Sequence, residues 1–183
     1  MSLLKGVTLP GPLEPLRPKL ERAFDVAVFA LWPEGVDLQE AEQPAALGRV
    51  LIGALHTHLA SAKIAYLFKA KMAKRGQTKL GVASHATGKL AFLSGMDFVI
   101  EFNHATWRTL TPQARLALVD HELTHCVTDE DGEYTLRLHD VEEFGSIIRR
   151  WGLWTPDLVG FGHAVQAAEQ RDFFEVPEPA PAA

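Results

Sequence analysis

Apolar residues in this chain recur at two different periods, and the switches between them mark out the elements. Leu20, Phe24, Ala27, Val28 and Leu31 recur at helical spacing and predict a helix from Lys19 to Trp32, stopped by Pro33. Pro44 opens a second predicted helix to about Leu59, with Leu47, Leu51, Leu55 and Leu59 along one stripe. The texture then shifts toward aromatic and β-branched residues. Three strands are expected, at Ile64–Phe68, Leu80–Thr87 and Asp97–Asn103, with Gly and Asn as punctuation. Phe98-Val99-Ile100-Glu101-Phe102 is the clearest of them.

Thr111-Pro112 opens a third helix, the hydroxyl serving as N-cap and the proline standing at the first helical position. From Gln113 to about Val127 no glycine or proline interrupts it. At about 100° per residue, Leu116, Val119, Leu123, Cys126 and Val127 share one face, and Leu118, His121, Glu122 and His125 share the adjoining one. An acidic turn with Gly132 follows, then a short extended segment at Tyr134–Leu138. Asp140 to about Trp151 reads as helix, broken at Gly152, and Thr155-Pro156 opens a last helix to about Gln170. Helices followed by strands followed by helices make an α+β domain, here a small, roughly three-stranded sheet packed on helices. Residues 1–18 hold Pro10, Pro12, Pro15 and Pro18 and are expected as an extended arm; 19–172 form the domain; 173–183 are a disordered Pro/Ala tail.

Composition narrows the class. A chain of 183 residues with 47% hydrophobic residues can bury a core without covalent staples. Its single cysteine, Cys126, forms no internal disulfide and suits a reducing compartment. Neither a signal peptide nor an apolar run of the roughly 18–20 residues of a membrane helix is evident, so a cytoplasmic protein is expected. The net charge of −5 is unevenly spread. Lys63, Lys69, Lys71, Lys74, Arg75 and Lys79 form a basic stretch without acids. Between Asp120 and Glu143 the acids dominate and Arg137 is the only Lys or Arg. A solvated basic face and a carboxylate-rich metal surround explain both; contact with nucleic acid is the sharper alternative.

The chemistry lies in His121-Glu122-Leu123-Thr124-His125. On a helix the two imidazoles stand one turn apart on one side, about 5–6 Å apart at Cβ. At that spacing they can share one Zn²⁺ at about 2.0–2.1 Å per bond. Glu122 would stand beside the ion, placed to take a proton from water. A catalytic zinc needs a third protein ligand and an open position. The extended pattern with a histidine ten residues after the first fails, because that position is Asp131. His139, at the start of the next helix, is the favoured ligand, with Glu142 or Glu143 as alternatives. If His139 ligates, Glu142 is placed one turn on to hold its tautomer.

These residues carry a resemblance. Val119 to Cys126, followed by His139-Asp140-Val141-Glu142-Glu143-Phe144, resembles the putative phage metallopeptidase family and, more distantly, is similar to SprT-like zinc metallopeptidases. The likeness reaches back through Gly95–Ile100 and Trp107–Leu118 and covers roughly Ile64 to Trp154. The SprT-like block has one residue fewer before its phenylalanine, so Phe144 aligns only approximately. The resemblance implies a compact zincin-like, minigluzincin-like or SprT-like core. It also implies one zinc ion on His121, His125 and His139, with Glu122 as general base. For an origin in a phage, the compartment is the cytoplasm of a bacterial host.

Other residues have plainer readings. His56 and His58 fall on different sides of a helix and suit surface or capping roles; His85, His104 and His163 are isolated. Cys126 points toward the core as a small hydrophobe. Tyr134 and Arg137 fall in the segment facing the metal and are candidates for oxyanion stabilisation. Phe98–Asn103 is expected to present a strand edge to an extended peptide, with Glu101 and Asn103 near the groove. The expected function is zinc-dependent peptide hydrolysis with a protein or peptide substrate. The alternatives are a zinc-binding structural, assembly or regulatory protein and a DNA-associated protease.

Overall fold

The computed structural model describes residues 3–74, 77–142, 148, 151–153 and 155–168. It divides into two compact units, Met1–Arg137 and Leu138–Ala183. The first is a mixed α+β unit. Its sheet has four strands in the order β1 (Leu38–Glu40), β2 (Ile64–Lys69), β6 (Phe98–Asn103), β5 (Gly81–His85). β2 and β6 run parallel, while β1 and β5 are antiparallel to their neighbours. Two hairpins accompany it: β3 (Ala73–Lys74) with β4 (Gln77–Thr78), and β7 (Cys126–Thr128) with β8 (Tyr134–Leu136).

β6 is central rather than the expected edge. Phe98, Ile100 and Phe102 are fully buried at alternate positions, so the strand needs cover on one face and partners on both sides. Among the described residues β5 is the end strand on that side of the sheet, with no further strand hydrogen-bonded to it, although β8 lies near it. α2 (Glu42–Ala54) packs against both α1 (Arg17–Phe24) and α5 (Pro112–His125), and α5 lies against β5. Leu47, Leu51, Leu116, Val119 and Leu123 fill the space between.

Several boundaries differ from the sequence expectation, each for a tertiary reason. α1 ends at Phe24 rather than Trp32. The Gln43 amide donates to the carbonyls of Phe24 and Val26, His104 Nε2 donates to Phe29 and Arg108 to Ala30, so long-range partners take backbone groups a continuing helix would use. The Pro-rich arm contains a 3-10 turn at Gly11–Leu16, and Leu4, Leu9 and Leu13 are buried. α2 stops at Ala54, which leaves His56 and His58 beyond the helix. Two short helices were not expected: α3 (Gly88–Ser94) and α4 (His104–Thr109), the latter capped by the Asn103 side chain.

In the second unit, α6 (Pro156–Ala167) is capped by Thr155 as anticipated, and the Leu153 side chain closes on Gly162. Most of the helix expected from Asp140 to Trp151, and the tail at 173–183, lie outside the described residues. Among the described residues no helix is long and apolar enough to cross a membrane.

Candidate metal centre

α5 is over-determined at both ends. Thr111 Oγ1 accepts from the Ala114 amide at 3.2 Å with Pro112 behind it, which satisfies an N-terminal donor. Near that end, Arg115 donates to Gln43 Oε1 at 3.0 Å and its guanidinium lies 5.6 Å from the centre of the buried Trp107 ring. At the other end the helix stops at His125, two residues before the expected Val127. Cys126, Val127 and Thr128 turn into β7 and pair with β8 across a loop in which Asp129 Oδ1 accepts from the amides of Asp131 and Glu133. Gly132 takes φ +83° in that loop, a conformation that favours glycine.

The early stop matters for His125. It brings the β8 exit back alongside, so that the Arg137 amide donates to His125 O at 2.8 Å and the Arg137 carbonyl accepts from His125 Nδ1 at 2.7 Å. A carbonyl only accepts, so Nδ1 carries the proton and Nε2 of the neutral ring keeps its lone pair. That Nε2 lies 3.3 Å from His121 Nε2, with the two rings nearly perpendicular. Two nitrogens bound at about 2.0–2.1 Å to one tetrahedral ion are about 3.3–3.4 Å apart. The spacing of the pair matches that of two ligands on a single ion.

Glu122 differs from its two neighbours. The histidines are exposed or half-buried, while Glu122 is 3% exposed. Its carboxylate rests on β5: the Ala83 amide is near enough to favour its charged form, and a side chain at Gly81 would collide with Oε1. Burial pushes its pKa up to about 7, with the neighbouring His125, the Ala83 backbone and Lys79 acting in the opposite direction. Cys126, by contrast, is an inert thiol, buried, with burial holding its pKa up at about 12.

The other candidates are placed as follows. His139 opens the second unit, where its Nδ1 is 3.5 Å from Glu142 Oε1, the outer limit of a hydrogen bond. Glu143 lies outside the described residues. Among the described residues, His121, His125 and His139 form a group that could hold a metal ion. Tyr134 packs edge-on against Phe98 and its hydroxyl is 3.1 Å from Ser61 Oγ. The Asn103 side chain caps α4 and donates to Lys79 O, and Glu101 stands 3.5 Å from Lys69.

Residues the sequence reading left out also surround the motif. His56 Nε2 donates to Asp120 Oδ1 at 2.6 Å and His58 Nε2 donates to Cys126 O at 3.0 Å. One brace thus precedes His121 and the other follows His125. Spacing of two residues predicts opposite sides only on a helix, and α2 ends before both histidines. Gly81 had a usable signal: a glycine inside a strand pattern often marks a close approach by another group.

The sequence model of the putative phage metallopeptidase family matches residues 36–167. No curated protein and no solved structure matches the chain significantly. The matched span takes in the whole sheet, α5 and His139, and this chain belongs to the putative phage metallopeptidase family.

Proposed function

We propose that the protein is a zinc-dependent endopeptidase with a zincin-like core, its ion held by His121, His125 and His139. The observation that carries this reading is the 3.3 Å approach of the two Nε2 atoms, with the far nitrogen of His125 already tied to Arg137 O. Support for His139 as third ligand comes from chain connectivity. It lies two residues beyond Arg137, hence within about 7 Å of that anchored residue along the chain. Glu142 then acts as the outer partner of His139. When bound, the zinc lowers the pKa of water toward about 7 and polarises the scissile carbonyl.

The chain's own residues do the rest. Glu122 takes the proton of the attacking water and returns it to the leaving amine. The substrate lies extended along β5, the strand with a free edge. In β5 the ladder bonds to β6 fall on even-numbered residues, as the flanking bonds from Asn103 N to Leu80 O and from Ala86 N to Asp97 O require. Gly81, Ala83 and His85 therefore direct their backbone groups outward, toward a peptide.

Substituting Glu122→Gln is expected to leave one zinc per chain by elemental analysis and to abolish peptide hydrolysis. Retained hydrolysis would remove Glu122 from the mechanism. Zinc binding by a wild type that hydrolyses no peptide would favour a structural or assembly role. The SprT likeness adds a DNA-associated variant of the same activity, which unchanged DNA mobility across a salt series would eliminate.

A further inference from the structure

We infer that Gly81 and Ala83, on the free edge of β5, form a seat that positions the Glu122 carboxylate. Three observations converge. First, α5 packs its buried face on β5, and Glu122 is the acidic residue buried in that contact. Second, Gly81 leaves a space that the carboxylate fills: an added Cβ would come within 2.9 Å of Glu122 Cδ and 3.0 Å of Cγ. Gly81 sits opposite Phe102 in the register, and its φ lies outside the left-handed region. Its need for glycine is therefore steric and not conformational. Third, the alternation of the ladder leaves the Ala83 amide unused by β6 and aimed out of the sheet edge, where it is near enough to the Glu122 carboxylate to favour its charged form.

The same contact sets how a peptide can pair. At Ala83 only the carbonyl is left for the incoming strand, while Gly81 and His85 offer both groups. A substrate residue opposite Ala83 thus donates its N–H, but its own carbonyl is not taken by the strand. The seat itself stands on packing at Gly81 and on the free direction of the Ala83 amide. Only its consequence for turnover rests on Glu122 being the base proposed above.

The test is residue-resolved amide exchange on the full chain, for wild type, Glu122→Ala and Gly81→Ala, paired with peptide kinetics. Ala83 is expected to exchange at least about tenfold faster in both variants. Val82 and Ser84, held in the ladder, should exchange at unchanged rates, which shows that β5 is still formed. Equal Ala83 exchange in wild type and Glu122→Ala overturns the seat. Displacing the carboxylate by about 1 Å in Gly81→Ala should lower kcat about a hundredfold, with KM and zinc content unchanged. Faster Ala83 exchange with wild-type kcat would overturn the positioning role. A wild type without hydrolysis would count against the proposed activity, and the exchange rates would still decide the seat.

Discussion

β5 and β6 lie side by side in one sheet and are built on opposite plans. β6 places Phe98, Ile100 and Phe102 fully inside the core and has a partner along each edge. β5 is half-exposed along its length, has one ladder partner among the described residues, and puts Gly81, Ala83 and Ser84 where bulk would be expected. Bulk makes the platform; its absence makes room for Glu122. Apolar alternation, the strongest strand signal in the chain, marks the strand that is most enclosed and hence least able to meet a substrate. The strand next to it, with the weaker signal, carries the open edge.

That contrast predicts that changes in β6 act on stability and changes in β5 on chemistry. The largest stability effect belongs to Phe102→Ala, which should cost about 3–5 kcal/mol in denaturant unfolding through the cavity it leaves. A loss below about 1 kcal/mol would mean that β6 is not the platform described. Asn103→Ala removes the cap of α4 and the bond to Lys79 O, and should cost about 0.5–2 kcal/mol without altering KM. Smallest is Glu101→Gln: its pair with Lys69 is partly solvated and long, so unfolding should shift by less than about 1 kcal/mol. A raised KM at unchanged stability in either of the last two would bring those residues back toward the groove and blur the contrast between the strands.

Much of the site was legible because its signals are local. Thr111-Pro112 announced the start of α5, and the phase of Leu116, Val119 and Leu123 put its core face in the right place. The spacing of His121 and His125 follows from helix pitch alone. What escaped depended on partners distant in sequence. α1 ends where Gln43, His104 and Arg108 take its carbonyls, and no pattern within Lys19–Trp32 encodes those partners. His56 and His58 looked incidental until the chain reversal after Ala54 set them against Asp120 and Cys126. Glu122 shares a face with the histidines in projection, yet it is buried while they are exposed or half-buried, because its carboxylate lies against Gly81 of β5.

By itself, then, the sequence determined the elements and the chemical vocabulary: an α+β chain, a capped helix and two imidazoles one turn apart. Periodicity and capping are short-range properties, written within a few residues of where they act. The tertiary structure decided which strand is the edge, which tautomer His125 adopts and where the Glu122 carboxylate rests. Each of those depends on a backbone group brought from another element, the Arg137 carbonyl in one case and the Ala83 amide in another. Such groups are common to every residue except proline, which lacks the N–H, so the identities of Arg137 and Ala83 did not announce them.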